Sequence, residues 1–262
     1  MIPVLGIPVV NRADLLNRCL LSIDYPIDTL AIVNNGADPG VHGLLEQILL
    51  ERADQRQSGL IQQMVIYTPS RPLGVAESWN LIMTANPKAE YWEFSGSDIR
   101  FSIGDLAKID RYVRDHLYYV TMPANWGHSL FAVTAEGRDR IGEFDENFVP
   151  AYSEDQDHMY RVKLAGADWA DVPGIRAIHG EPPLWGSSTV WSDPVLLEQC
   201  KVAQPNNLEY YARKWGGRPG KETYVTPYNN PNLTLKDWQV DRALRIANGQ
   251  APGRLLITES WG

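Results

Sequence analysis

Residues 2–12 read IPVLGIPVVNR, an apolar run that ends abruptly in Asn11 and Arg12. A short run of branched apolar side chains followed by polar punctuation fits a strand buried on both faces. The period then changes. Leu15, Leu16, Cys19, Leu20 and Ile23 recur at helical spacing, with Asn11 available as N-cap. The couplet repeats along the chain. Leu30–Val33 reads as a strand, closed by the turn Asn34-Asn35-Gly36, and Leu44, Leu45, Ile48 and Leu49 mark a helix. Met64–Tyr67 reads as a strand, Val75–Thr84 as a helix stopped before Pro87, and Tyr91–Phe94 as a fourth strand. This alternation predicts a parallel sheet with helices on both faces. Ligands of such sheets bind beyond the carboxyl ends of the strands. Here those ends are polar: Asn11-Arg12, Asn34-Asn35, Ser70-Arg71 and Ser95–Asp98.

Beyond residue 100 the pattern is mixed. Leu106, Ile109 and Val113 mark a helix; Tyr118–Met122 and Ser129–Val133 read as strands. A short helix at Glu136–Ile141 leads into GEFDENF (residues 142–148), and Ile175–His179 reads as a further strand. Glu181–Trp191, EPPLWGSSTVW, has the composition of a mobile loop. Asn206 and Glu209 are spaced as a capping box opening a helix that ends at Lys214-Trp215-Gly216, and Leu235–Ala247 reads as the last helix.

A chain of 262 residues suits one large domain, or one domain with an extension. The net charge of −8 is dispersed, which argues against nucleic acid and anionic membrane surfaces as partners. Cys19 and Cys200 lack metal-ligand spacing and read as packed, reduced thiols. The apolar N-terminus is short, broken by prolines and without a basic flank, so it fits neither a signal peptide nor a membrane span. The expectation is a soluble, cytoplasmic protein without a transmembrane segment. GxGxxG, GxxxxGK[ST] and GxSxG are all missing from the sequence. That disfavours dinucleotide-binding, P-loop and serine-hydrolase chemistry.

The most chemically loaded stretch is SEDQDHMYR, residues 153–161, where Glu154, Asp155 and Asp157 crowd into one helix start. A helix dipole favours acids there, but three exceed what capping needs. Mutual repulsion raises their pKa values and can poise one as a base; an over-capped surface helix is the competing reading. Asp98 ends a strand beside small residues, a place for a divalent cation or for a self-bonded turn. His179, in AIHGE, gains weight as a metal ligand only together with Asp98. Gly74 and Asn80 flank a helix N-terminus that could favour an anion. Of the nine tryptophans, Trp126 (beside Gly127 and His128), Trp185 and Trp191 suit stacking on sugar rings. Trp79, Trp92 and Trp215 read as packing residues.

In order along residues 2–216, these segments resemble the family 2 glycosyltransferases. IPVVNR is similar to that family's first strand, and IVNNG to its V-D-N-G motif with Asn34 in place of Asp. GVAESWN resembles G-x-a-x-a-x-N, and FSGSD stands where D-x-D falls, with the first acid missing. IGEFDENF resembles G-G-F-D-E-x-F, SEDQDHMYR resembles E-D-x-D-x-x-x-R, and AIHG and YYARKWGG follow as the late histidine and the K-W-G. The resemblance implies an α/β GT-A fold: a Rossmann-like mixed, mostly parallel sheet flanked by helices. Residues 1–100 would form the nucleotide-binding half, residues 101–216 the acceptor and catalytic half, and residues 217–262 a helical C-terminal extension.

By the same resemblance, Pro8, Asn11 and Arg12 would line the nucleotide pocket and Asn34 would face the base. Gly74 and Asn80 would lie near ribose and diphosphate, with Ser97 also contacting nucleotide. Asp98 and His179 would hold Mn2+ or Mg2+. Asp155, or its rival Glu154, would be the general base, with Asp157 and Arg161 bracing the helix start. Trp126, His128 and Trp185 would serve the acceptor or the lid. The implied reaction is metal-assisted, inverting transfer from a nucleotide-diphosphate sugar, by default a UDP-sugar, to a carbohydrate or other hydroxyl-bearing acceptor. The alternative is a non-catalytic sugar- or nucleotide-binding relative with an eroded D-x-D.

Overall fold

The computed structural model describes residues 1–36, 38–54, 59–115, 121–122, 127–167, 170–182, 184–186, 188–237 and 255–261. The alternating half folds as β1 (Ile2–Val9), α1 (Ala13–Leu21), β2 (Ile27–Asn34), α2 (Pro39–Asp54), β3 (Ile61–Pro69), α3 (Val75–Ala85) and β4 (Tyr91–Ser95). β1 pairs in parallel with β2 on one side and β4 on the other, and β2 pairs in parallel with β3. Because strand side chains alternate, β1 feeds both cores. Leu5, Ile7 and Val9 pack with Leu16, Cys19 and Ile109 on one face, and Val4 packs with Ala76, Ile82 and Trp92 on the other.

The second half contains β5 (Ile99–Arg100), α4 (Asp105–Arg114), β6 (Thr121–Met122), β7 (Leu130–Thr134), α5 (Ala135–Ile141) and α6 (Glu154–Leu164). β8 (Ala170–Asp171), β9 (Ile178–Glu181), β10 (Leu184–Trp185), α7 (Ser188–Trp191), α8 (Pro194–Trp215) and β11 (Leu255–Trp261) follow. β7 adds antiparallel to β4, with β6 and β8 beyond it, while β11 adds antiparallel to β3 at the opposite edge. The sheet is therefore mixed and mostly parallel at its centre. A small second sheet, β10-β9-β5, sits against it.

Several local expectations are corrected. Asn11 does not cap α1: Arg12 occupies the N-cap with φ 61°, and the Asn11 amide reaches across to the Thr189 carbonyl and Asp193. A tertiary partner outbids the local one. Asn206 and Glu209 do not open a helix. α8 starts at Pro194, where the Asp193 carboxylate accepts from the Val195 and Leu196 amides at 2.9 and 3.0 Å. Pro205 inside α8 reads as a break, but burial of Asn207, Tyr211, Lys214 and Trp215 carries the helix through it. The described part of Glu181–Trp191 contains two short elements, β10 and α7. Residues 118–120 of one expected strand and 238–247 of the expected last helix lie outside the described residues, and Leu235–Asp237 forms a turn.

Candidate functional site

β4 ends at the pocket in Ser95, and the chain turns through Gly96 and Ser97 to Asp98. Two pairings hold this turn: the Gly96 amide donates to the Ser129 carbonyl at 2.7 Å, and the Gly180 amide donates to the Asp98 carbonyl at 2.9 Å. β5 and β9 are in register at Ile99 and His179. Two residues far apart in sequence thus meet, with His179 Nε2 3.4 Å from Asp98 Oδ1. The other carboxylate oxygen, Oδ2, accepts from the Ser188 amide at 2.9 Å. The place of the missing first acid is taken by Gly96, where a Cβ would stand 2.9 Å from Asp98 Oδ1 and displace that carboxylate oxygen. Gly180 has φ +75°, and a Cβ would lie 2.3 Å from the Gly186 carbonyl, so β9 needs glycine at this position.

The acidic helix is entered through two left-handed residues, Tyr152 (φ 78°) and Ser153 (φ 75°). Such backbone costs of order 1 kcal/mol per residue and persists only where its surroundings hold it. Asn207 of α8 does so, donating to the Ala151 and Tyr152 carbonyls at 2.9 and 3.0 Å. The three acids then diverge. Glu154 is 6% exposed and its Oε2 has no partner; burial, then the charge of Asp155, pushes its pKa well above the usual carboxylate range. Asp155 is partly exposed and accepts from the Gln156 amide at 2.7 Å, and burial raises its pKa too. Asp157 is fully buried, bonded to Arg161 at 2.9 Å, Lys214 at 2.6 Å and the Trp215 indole at 2.7 Å. Burial works against its charge, but Lys214 and Arg161 outweigh it and hold its pKa below normal. Lys214 also bonds Asp145 at 2.7 Å. Asp157 and Arg161 therefore brace the helix and stay out of the pocket.

Between the turn at Asp98 and the start of α6 lies a pocket of about 270 Å³. Pro8, Ser97, Asp98, His128, Glu154, Asp155 and His179 lie on its wall. Other expected site residues do not. Arg12 is ion-paired to Asp14 and Glu181, and Asn34 is buried at the end of β2 with no partner for its Oδ1. Asn80 is consumed by Phe144 and Glu146, tying α3 to the loop before α6. Gly74 caps α3, but the Val75 amide already donates to the Pro150 carbonyl at 2.8 Å, so that helix end is not an open anion site. Trp126 lies outside the described residues, as does the side chain of Trp185 in β10.

Asn35 takes the wall position expected of Asn34; its side chain brackets Leu73 by accepting from the amide and donating to the carbonyl, at 2.6 and 2.8 Å. Ser78, inside the GVAESWN segment but given no role by it, also lines the pocket, as do Tyr152 and Cys200, which stand outside every motif. Trp79 packs on Phe94, Phe131 and Phe144 as expected, yet also forms wall, whereas Trp92 and Trp215 are buried away from it and donate to the Asn86 carbonyl and to Asp157.

No protein-family model matches the chain, and no curated protein sequence does. Solved structures share its architecture. GalNAc-T7 with UDP, GalNAc and Mn2+ matches 95% of this chain at TM-score 0.59 and 12% identity, over 57% of its own length. S. aureus TarS 1–349 in complex with UDP-GlcNAc matches 84% at TM-score 0.52 and 12% identity, over 74% of its length. The TarS complex with UDP matches 82% of this chain and 72% of its own, at TM-score 0.52 and 12% identity.

The chain has a GT-A fold.

The chain spans 57% of GalNAc-T7 and 56% of another TarS 1–349 structure. At these identities the likeness is one of fold. In GT-A terms, the strand ends of the parallel half and the first turn of α6 meet at one pocket. No helix among the described residues is long and apolar enough to cross a membrane.

Proposed function

We propose that this chain is a glycosyltransferase of the family 2 type. It moves a sugar from a uridine-diphosphate donor to a hydroxyl-bearing acceptor, with inversion at the anomeric carbon. Residues 1–216 form the transferase unit, and residues 217–262 extend it and return β11 to one edge of its sheet. The observation that carries the reading is a single pocket whose wall holds Asp98 and His179 from one side of the fold and Glu154 and Asp155 from the other. The UDP, UDP-GlcNAc and Mn2+ of the structural neighbours support it.

Asp98 and His179 fit a divalent cation that completes its shell with phosphate and water. Among the described residues no cluster of three protein ligands exists, and Mg2+ or Mn2+ commonly binds through one or two carboxylates plus substrate phosphate. The described wall also holds three carboxylates and neither lysine nor arginine, so a diphosphate needs a counter-charge there. When bound, such a cation would offset negative charge on the departing diphosphate.

Asp155 takes the proton of the acceptor hydroxyl as that oxygen bonds to the anomeric carbon. The bond from that carbon to the diphosphate oxygen breaks, and its electron pair leaves with the diphosphate. Glu154, pushed further toward its protonated form, leaves Asp155 as the ionised member of the pair. No acid is needed for a leaving group this good, unlike glycoside hydrolysis. Thr189 and Val190 of the β9–α8 segment form part of the wall, which makes that segment a lid over the donor.

Asp155→Asn lowers transfer by about 10²–10⁴-fold, read as UDP released from a UDP-sugar panel with Mn2+, and leaves UDP binding intact. Full activity in that variant contradicts the assigned base.

A further inference from the structure

Among the polar side chains of the pocket wall, His128 is one whose ring nitrogens are both buried without a hydrogen-bond partner. His128 sits in a short 3-10 turn, Gly127–Ser129, beside the Gly96–Asp98 loop that Ser129 holds. It lines the pocket yet is 7% exposed, and neither ring nitrogen has a hydrogen-bond partner. Its surroundings explain why. Trp79, Phe131 and Phe144 stand with ring centroids 6.0, 4.5 and 5.8 Å away. The polar neighbour is His158, 5.7 Å away, itself buried and also without partners. Buried polar groups left unpaired are costly and rare, so one beside a pocket calls for a functional explanation.

A neutral imidazole offers one N–H donor and one lone pair. A hydroxyl, which both accepts and donates, complements it; a carboxylate or phosphate offers acceptors alone. The wall charge points the same way. Asp98 and Asp155 share it with Glu154, which burial pushes toward its neutral form, and with neither lysine nor arginine among the described residues; Arg12 is held outside by Asp14 and Glu181. An anionic sugar would meet these carboxylates with no side-chain cation to pair with.

We propose that His128 is a specificity-determining residue that hydrogen-bonds a hydroxyl of the transferred sugar, and that the pocket selects an uncharged donor sugar over an acidic one. The inference rests on the reading of this pocket as the donor site. Burial pushes the His128 pKa down to about 3, so the ring stays neutral through the working pH range. Proximity to the Asp98 loop assigns the hydroxyl to the donor rather than to the acceptor.

The test is calorimetry on the full chain with Mn2+, using UDP, UDP-glucose, UDP-GlcNAc and UDP-glucuronate. Wild type should bind at least one uncharged UDP-sugar about tenfold tighter than UDP-glucuronate. His128→Phe keeps an aromatic ring in the aromatic box and removes both nitrogens. It should lose about tenfold in affinity for that sugar nucleotide while UDP affinity stays unchanged, and His128→Gln should recover part of the loss. Two results overturn the proposal: unchanged UDP-sugar affinity in His128→Phe, or preference of wild type for UDP-glucuronate. Absence of UDP binding to wild type would instead overturn the donor-site reading itself, and this inference with it.

Discussion

Glu154 and Asp155 are neighbours in sequence that differ in their access to solvent, and on that difference rests the proposal that Asp155 is the base. Asp155 works as a base only when ionised, and burial raises its pKa. The transfer rate should therefore fall on acidification along a limb centred above the ordinary aspartate value of about 3.9. A limb at or below that value contradicts the assignment. Asp157, two positions on, has the opposite shift, since Lys214 and Arg161 hold its folded pKa below the unfolded one. Its contribution to stability is thus present above the ordinary carboxylate range and is lost as pH falls through the lower, folded value. Asp157→Asn leaves Arg161 and Lys214 buried without full compensation and should cost about 3–5 kcal/mol in urea unfolding. An unchanged midpoint and slope would show that the cluster contributes nothing. The crowding of acids at 154–157 is plain in the sequence. Their separation is not, because Lys214 and Trp215, which claim Asp157, lie at the far end of α8.

Elements with an uninterrupted period are readable from sequence, and those set by distant partners are not. β1 through β4 and their helices follow from apolar runs alternating with helical stripes. α8 is misread because Asn206 and Glu209 have the spacing of a capping box, although the helix already runs from Pro194 and packing against the 145–152 loop carries it across Pro205. β6, β8 and β10 have two residues each, too few to show any alternation. The β9–α8 segment reads as loose from its Pro, Gly and Ser content, yet it is tied at both ends. Glu181 meets Arg12 and Arg18, Asn11 reaches Thr189, and Ser188 donates to Asp98. As a lid tied to Asp98, this segment should gain amide-exchange protection when UDP and Mn2+ are added together. Exchange at residues 188–193 that is indifferent to both would remove the lid from the account.

For the molecule as a whole, a GT-A sheet brings residues from the end of β4, from β9 and from the start of α6 to one pocket. The polar strand ends and the acid-rich helix start are visible in the sequence, and so is the expectation that they meet. Which asparagine faces the pocket, the closure of the α3 N-terminus by Pro150, and the aromatic box around His128 are consequences of packing that no local motif encodes. The central claim is a pocket that binds a nucleotide diphosphate through a cation held by Asp98 and His179. Calorimetric titration of UDP into the full chain, with Mn2+ and then with EDTA, tests it most directly. The account predicts binding with Mn2+ that weakens at least about tenfold in EDTA, and the same loss in Asp98→Asn with Mn2+ present. UDP binding of equal strength with and without metal, or no binding in either condition, would contradict it.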